Sequence, residues 1–365
     1  MLGGQEKYFT NASLDVKIEE KDLIVIDSYT TGFKSAKNEI LQIVKESGKN
    51  ELSVSLLMEA NEISLRTNIR IAISDAIKDI IFGKILSNSY IASVERTGAA
   101  IFMSDLDFER NRMIEALSSK DENIIKSLSE KLFEINYALP VRRNLDFIRM
   151  LERITKLESQ ISKMNPEIID YFKEIVGGDY RVDREGLWFV PQKTRGVKLG
   201  MGESSSSARS LLDVGFYLKH IAQKGDLLMI DEPELNLHPE NQRKLARLLV
   251  KLVNIGIKVF VTTHSDYIVK ELNTLIMFNY KKESDAIKAL MKKNDYDNSE
   301  LISHDRIKVF IARDEPTLLE GNSKKVRTPV LVPAKYDEFY GIEAESFDET
   351  IDDMNKLQKS IIFSE

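Results

Sequence analysis

The sequence predicts an α/β fold in which a mostly parallel sheet is flanked by helices. Short apolar strands, LLMID at 227–231 and KVFVTTH at 258–264, alternate with helical patterns in the segment 198–277. Such alternation is typical of a parallel sheet that is covered on both faces. The length of 365 residues is enough for about two domains, or for one α/β domain with a large insertion. Functional side chains are therefore expected at the carboxyl ends of these strands.

The composition is that of an ordinary soluble protein and excludes several kinds of site. Hydrophobic residues make up 42% of the chain, charged residues 30%, and the net charge is −6, so no global positive field attracts nucleic acid or anionic lipid. The absence of cysteine excludes a disulfide framework, a cysteine zinc site and a thiol nucleophile, and it fits a cytoplasmic location. No apolar window of about 18 residues and no signal-peptide pattern occurs, so no membrane contact is expected.

Residues 1–106 are expected to form the remainder of an N-terminal lobe. Alternating apolar and polar residues at 7–28 indicate strands of an antiparallel β-subdomain, and the apolar spacing from about 51 to 86 indicates a helix. The segment SYIASVE at 89–95 is predicted to be a buried strand. The polar residues Glu95 to Gly98 are predicted to form a turn after it.

A helical-hairpin insertion is predicted for residues 107–176. Two apolar tracts, 125–139 and 147–164, step by three and four residues in alternation, as in a coiled coil. Pro140 lies between the tracts and Pro166 follows the second, which favours two antiparallel helices. The alternative is two amphipathic helices that pack on a globular body.

The segment 177–280 is predicted to be the core of the fold. It begins with a β-hairpin that turns near Arg184, Glu185 and Gly186. A helix from Ala208 to Gln223 follows, and the two apolar strands and their helices come after it. This segment contains the residues that are expected to carry chemistry.

Two adjacent carboxylates, Asp231 and Glu232, stand at the end of the first apolar strand in LLMIDEPE. A first carboxylate there suits Mg²⁺ binding, and a second lies close enough to orient or deprotonate a water that attacks a γ-phosphate. The alternative for a bare pair of acids is a strand followed by an acidic helix cap. The context favours the first interpretation, because a loop with Asn236 and His238, a helix and a second strand that ends near His264 follow.

The combined patterns LLMIDEPELNLHPENQ and VFVTTHSDYIV resemble P-loop NTPases with an ABC-type nucleotide-binding fold, within them the OLD-like or AAA-type ATPases related to SMC heads. The resemblance implies ATP and Mg²⁺ as cofactors, Asp231 as the Walker B aspartate that binds Mg²⁺, and Glu232 as the catalytic glutamate. Asn236 and His238 would belong to the nucleotide-contacting D-loop. His264 matches the switch histidine, whose neutral imidazole can hydrogen-bond the γ-phosphate or the attacking water. The alternative for His264 is a strand-end histidine satisfied by backbone groups.

Upstream, MGESSSSARSLLDV stands where this family carries its signature motif. Free backbone N–H groups and the positive end of a helix dipole can bind an anion there, and a serine hydroxyl adds a donor. By the resemblance, Ser205 takes the place of the signature serine, and Ser206 and Ser207 take the small positions, with Ser207 where a glycine is usual. The signature of one subunit contacts the ATP of another in this family, which implies a homodimer or higher oligomer. A flexible serine linker is the alternative.

The Walker A portion of the fold is missing from the sequence. No G-x-x-x-x-G-K-[ST] string occurs in the 365 residues, and the nearest one, TTGFKSA at 30–36, lacks the first glycine. The backbone nest and the lysine that hold the β- and γ-phosphates are therefore not expected here. Three explanations stay open: a truncated gene, a P-loop on another chain, or a relative that binds without hydrolysing. The chain alone is accordingly expected to be inactive.

Residues 281–365 resemble the C-terminal tail of bacterial OLD-like ATPases, and their strands RIKVFIARD and TPVLVP, with a terminal helix, are expected to complete the α/β domain. The resemblance implies a role in a bacterial defence or DNA-transaction system, with a nuclease or toxin as a separate partner protein and DNA as a further candidate partner. Two other functions stay open. One is a non-hydrolysing interaction module, and the other is an SMC-like DNA-binding head.

Overall fold

The structure of the chain is a computed structural model. It describes residues 28–34, 39–49, 51–56, 73–74, 76–81, 88–101, 139–183, 185–194, 196–317, 325–337, 339, 341–342 and 345–363. Contacts divide the chain into two compact units, residues 3–88 and residues 89–365 with the first two residues. The finer division at residues 106, 176 and 280 stays a prediction.

Helices and strands are numbered in chain order. The smaller unit contains β1 (Tyr29–Lys34), β2 (Glu39–Lys45) and β3 (Ser53–Leu56). The larger unit contains β4 (Ser89–Ala92), α1 (Leu139–Arg149), α2 (Leu151–Ile154), α3 (Gln160–Met164), α4 (Pro166–Val176), β5 (Gly178–Asp183), β6 (Gly186–Pro191), β7 (Leu199–Gly200), α5 (Ser206–Ser210), α6 (Leu212–His220), β8 (Leu227–Asp231), α7 (Pro239–Asn254), β9 (Lys258–Thr262), α8 (Asp266–Lys281), α9 (Asp285–Lys293), β10 (Phe310–Thr317), β11 (Val326–Pro333), β12 (Tyr336–Asp337), β13 (Gly341–Ile342) and α10 (Glu345–Ile362). Short 3-10 turns lie at Asn298–Glu300 and His304–Arg306.

The smaller unit is built on the antiparallel sheet β1-β2-β3. Ile43 of β2 packs against Ala76 of a short helical stretch to form its core. The predicted strand residues 7–27 lie outside the described residues. The helix predicted from about residue 51 is wrong at its start, because Leu56 ends β3 and pairs with Leu41. The period-2 alternation of SVSL and the hydrogen bonds offered by β2 favour a strand there.

The parallel sheet of the larger unit has the strand order β4-β8-β9. Leu228 and Ile230 of β8 are almost completely buried, and because residues two apart share one face of a strand, that face of β8 is covered by the main core. The register pairs Asp231 with Thr262, so the carboxyl ends of β8 and β9 meet at one edge. The predicted α/β class with a parallel sheet is confirmed.

The predicted long second helix of the insertion is wrong. Pro140 lies in the first turn of α1, and the tract 147–164 is divided among α1, α2 and α3. The break has a local cause, because the Ser159 hydroxyl accepts a hydrogen bond from the N–H of Ser162 and donates one to the carbonyl of Leu218. The first tract, apart from Leu139, lies outside the described residues.

The described helices of this region pack on the globular body, as the alternative interpretation expected. Their buried side chains belong to the main hydrophobic core, together with those of α6, β8 and α7. These side chains are Leu145, Phe147, Ile148, Leu151, Ile154, Ile161, Ile168, Ile169, Phe172, Ile175 and Val176. The hairpin that follows is confirmed as β5 and β6, which join across residues 184–185.

The helix predicted from Ala208 to Gln223 is two helices, α5 and α6. Leu211 separates them with φ −108° and ψ 8°, which is not a helical conformation. Its side chain is completely buried, so core packing holds the chain in this break. The break separates the serine-rich helix α5 from the buried helix α6.

Gly215 of α6 allows two aromatic rings to approach the helix backbone. A Cβ at this position would lie 2.7 Å from Cε1 of Phe172 and 2.8 Å from Cε2 of Tyr180. Gly215→Ala is expected to lower the free energy of unfolding by about 1–3 kcal/mol, because overpacking displaces both rings. Urea denaturation followed by circular dichroism measures the change. Gly98→Ala is the matched control, since Gly98 is also helical and has open space at its Cβ position. Equal losses in the two variants would contradict the prediction.

The C-terminal strands do not complete the parallel sheet within the described residues, contrary to expectation. β10 and β11 pair with each other from Phe310 opposite Pro333 to Thr317 opposite Val326 and form a separate antiparallel sheet. Pairing with a neighbour along the chain satisfies the backbone groups on the facing edge of each strand. The expected terminal helix is present as α10. Within the described part of the chain, no helix is both long and apolar enough to cross a membrane.

Candidate active site

Asp231 and Glu232 lie at the carboxyl end of β8, beside the end of β9. The hydroxyl of Thr262 donates a hydrogen bond to Oδ1 of Asp231. The N–H of Glu232 donates to the carbonyl and to the hydroxyl oxygen of Thr262, at 3.1 and 3.2 Å. The end of β9 therefore orients both the first carboxylate and the backbone of the second. The Asp231 side chain remains exposed to solvent.

Glu232 and His264 approach each other across the same edge of the sheet. Nε2 of His264 lies 3.9 Å from Oε1 of Glu232, and the side chains are 87% and 31% exposed respectively. Glu232 has a φ of 46°, a left-handed conformation that costs energy in a residue with a side chain. The surrounding loop must hold this conformation, and it aims the carboxylate towards the open space beside His264. The structure thus brings together three of the predicted residues, Asp231, Glu232 and His264.

Glu234 stabilises the backbone next to these three side chains, and it was not among the site residues predicted from the sequence. Its Oε1 accepts a hydrogen bond of 2.6 Å from the backbone N–H of His264. Its Oε2 is buried and has no hydrogen-bond partner among the described residues. The one sequence signal that could have identified Glu234 is its position as the third acid of DEPE. Its hydrogen bond joins the loop after β8 to His264, which follows β9.

Asn236 and His238 lie in the exposed loop between β8 and α7. Asn236 adopts a φ of 61°, which asparagine tolerates better than most residues. Nδ1 of His238 accepts a hydrogen bond from the N–H of Glu240 at 3.3 Å, so this side chain caps α7. Local geometry therefore gives His238 a structural role, and the nucleotide contacts of Asn236 and His238 stay predictions.

Gln242 joins this loop to the start of α8. Its side-chain amide donates to the carbonyl of Leu237 at 2.9 Å, and its carbonyl oxygen accepts from the Ser265 hydroxyl at 2.5 Å. Ser265 also caps α8 by accepting from the N–H of Ile268. The hydrogen bonds of Gln242 therefore link the segment after His264 to the loop after Glu232.

The predicted signature serines begin α5 and are not a flexible linker. Ser205 caps the helix by accepting from the N–H of Ala208, and its hydroxyl lies 3.0 Å from that of Ser207. Ser206 accepts from Nη2 of Arg209. Within the described residues, no hydrogen bond or ion pair joins these three serines to Asp231, Glu232 or His264. Their contact with a nucleotide stays a prediction.

Arg96 connects the serine segment to the carboxylates and was missed by the sequence reasoning. The predicted polar turn is wrong at this point, because residues 96–101 are helical and Arg96 is only 1% exposed. Its Nε donates to the carbonyl of Ser210 at 2.6 Å. Nη1 donates to the carbonyl of Asp231 at 2.6 Å, and Nη2 to that of Glu232 at 2.8 Å. Burial lowers the pKa of Arg96, and nearby carboxylates, Asp213 first, oppose this shift.

The side chains at this edge of the sheet can supply one protein ligand to a magnesium ion. Mg²⁺ prefers oxygen ligands and is commonly held by one or two carboxylates together with waters and substrate phosphates. Asp231 presents such a carboxylate, oriented by Thr262. No group of three or more potential ligands of the His, Asp and Glu types is assembled among the residues that the structure describes. The arrangement suits a metal that arrives with a phosphate ligand.

Comparison with known proteins identifies the family of this chain. The profile of the AAA ATPase domain family matches residues 6–269, most of the chain. No curated protein matches it. A solved structure from "Structural biochemistry of ATP-driven dimerization and DNA stimulated activation of SMC ATPases" is 16% identical with a TM-score of 0.25, over 50% of this chain and 88% of that chain. On the family match, the chain belongs to the AAA ATPase domain family.

Proposed function

We propose that the chain is the ATP-hydrolysing part of an ABC-type, OLD-like ATPase and that Asp231, Glu232 and His264 carry the reaction. The observation that supports this most is the convergence of the three side chains at the ends of β8 and β9, with Glu232 and His264 3.9 Å apart. The edge formed by the carboxyl ends of parallel strands is where α/β proteins bind their ligands. The family match to AAA ATPase domains agrees with an ATPase-type function.

Each residue has a role that its position allows. Asp231, oriented by Thr262, binds Mg²⁺, which when bound neutralises charge on the phosphate oxygens. Glu232 orients the attacking water and accepts its proton. His264, through its exposed imidazole, donates a hydrogen bond to the γ-phosphate or bonds the attacking water. Glu234 holds the backbone of His264 in place.

The proposed assembly has more than one subunit. The 365 residues contain no G-x-x-x-x-G-K-[ST] string, so the phosphate clamp of the active assembly would come from outside them. Ser205, Ser206 and Ser207 are placed at the exposed start of α5 and would contact ATP held by a partner subunit. A nuclease or toxin protein and DNA are the proposed further partners, in a defence or DNA-transaction system.

Calorimetric titration of Mg-ATP into an assembly that contains this chain and a P-loop tests the proposed metal ligand. Asp231→Asn is expected to weaken Mg²⁺-dependent nucleotide binding by at least about tenfold, because a charged ligand of the cation is lost. Binding measured in EDTA should change little. Asp285→Asn is the matched control, since Asp285 is an exposed aspartate at the start of α9. If Asp231→Asn binds nucleotide as tightly as the unmodified assembly does in the presence of Mg²⁺, the interaction-module alternative is favoured.

A further inference from the structure

We propose that Arg96 is a positioning residue that couples the serine-rich helix α5 to the carboxylates at the end of β8. The effect of Arg96 on ATP hydrolysis rests on the proposed function. The coupling between the two segments can be tested without nucleotide. Arg96 reaches the last residue of α5, the last residue of β8 and Glu232 with one guanidinium group. A displacement of either segment is therefore transmitted to the other.

The acceptors of Arg96 are all backbone carbonyls. Besides those of Ser210, Asp231 and Glu232, Nη1 donates to the carbonyl of Ser93 at 2.9 Å. These carbonyls come from segments that are far apart in the sequence, separated from Arg96 by 114 residues at Ser210 and 135 at Asp231. A planar guanidinium with five N–H donors can bridge such a set, whereas a lysine ammonium presents its donors from a single atom.

A space-filling role does not explain why a charged arginine is buried at position 96. A buried charge is costly unless it is fully hydrogen-bonded or paired, and an apolar side chain would fill the same space without that cost. The carboxylate that most favours the charged form of Arg96 is that of Asp213, which is itself buried and belongs to the first turn of α6. Burial raises the pKa of Asp213 to about 6, although the charge of Arg96 lowers it.

The contact with Glu232 gives the coupling a consequence for the site. Glu232 holds a left-handed backbone with φ 46°, and this conformation persists only when its surroundings enforce it. Arg96 binds the carbonyl of Glu232, while Thr262 binds its N–H. Without the guanidinium, the carbonyl of Glu232 keeps only its longer hydrogen bond of 3.2 Å from the N–H of Leu235 among the described residues, and we expect the carboxylate to move away from His264.

Amide hydrogen exchange of the full chain, read by mass spectrometry, tests the coupling in the absence of ATP. Arg96→Lys is expected to raise exchange by about tenfold or more both at 204–211 and at 231–237. Arg306→Lys is the matched control, because the side-chain hydrogen bonds of Arg306 go to Asn254 and to the carbonyl of Val253, outside both segments. It should leave exchange at 204–211 and at 231–237 unchanged. A response of Arg96→Lys in one of the two segments alone, or in neither, would overturn the proposal.

A milder variant covers the case in which Arg96→Lys does not fold. Ser205→Ala removes the cap of α5 at an exposed position and leaves Arg96 intact. With the coupling, faster exchange spreads from α5 to 231–237, and without it the effect stays at α5.

In an assembly that turns over ATP, Arg96→Lys should lower kcat by about tenfold or more with KM within about twofold, since positioning acts in the transition state. If the assembly does not hydrolyse ATP, the proposed function is contradicted. The exchange experiment still decides whether Arg96 couples the two segments.

Discussion

Glu232→Gln is expected to lower the ATP turnover of an assembly that contains a P-loop by about 10²–10⁴-fold, the range for loss of a general base. The amide keeps the size of the side chain and cannot accept the proton of the attacking water. Nucleotide binding should persist, because Asp231 and its contact with Thr262 are untouched. The variant is therefore expected to hold ATP and to stay in its nucleotide-bound oligomer. Steady-state phosphate release and sedimentation velocity with Mg-ATP measure the two effects.

Glu240→Gln is the control for this experiment. Glu240 lies in the first turn of α7, and within the described part of the chain its exposed side chain forms one ion pair, with Lys244. Its turnover should match that of the unmodified assembly. Turnover by Glu232→Gln at an unchanged rate would contradict the assignment of Glu232 as the catalytic glutamate.

Glu271→Ala is expected to lower the free energy of unfolding by about 3–5 kcal/mol, the usual cost of removing one member of a buried ion pair. Glu271 of α8 is 2% exposed and accepts hydrogen bonds of 2.6 Å from Nε of Arg243 and from Nε of Arg247. It also accepts one from the hydroxyl of Tyr296 at 2.8 Å. Its loss leaves two guanidinium groups without their anion, and Arg247 is itself mostly buried.

Urea denaturation of the full chain measures this loss of stability. Glu240→Ala is the matched control, because its side chain is 67% exposed and its pair with Lys244 spans one helical turn. Such surface pairs contribute about 0.3–0.5 kcal/mol. A loss below about 1 kcal/mol in Glu271→Ala would show that the cluster contributes less than a buried ion pair normally does. The cluster joins α7 to α8, the helices that follow Glu232 and His264 in the chain.

The catalytic candidates could be predicted from the sequence because they follow apolar strands directly. Asp231, Glu232 and His264 lie within a residue or two of the ends of β8 and β9, and parallel neighbouring strands bring such positions together. The roles of Glu232 and His264, and the choice of Ser205 to Ser207, were expectations from the resemblance of their motifs to the ATPase family. The positions at the strand ends need only the order of neighbouring elements.

Arg96, Glu234 and Gln242 could not be assigned in this way because their partners are set by tertiary structure. Arg96 binds backbone carbonyls, and every residue has one, so no pattern of residue types marks the contact. The break at Leu211 and the division of the tract 147–164 likewise follow from packing and from the hydrogen bond of Ser159 to Leu218. The apolar period alone indicated continuous helices in both places.

The sequence by itself determined the class of fold, the parallel strands and the identity of the carboxylates and histidine at their ends. These features depend on local hydrophobic pattern and chain order, which are readable from the residues. The tertiary structure alone decided which groups hold that site in shape: the guanidinium of Arg96 beneath the loop, the carboxylate of Glu234 on the backbone of His264, and the separate pairing of β10 with β11. These contacts join positions remote in sequence, and their energies depend on burial and geometry that exist only once the chain has folded.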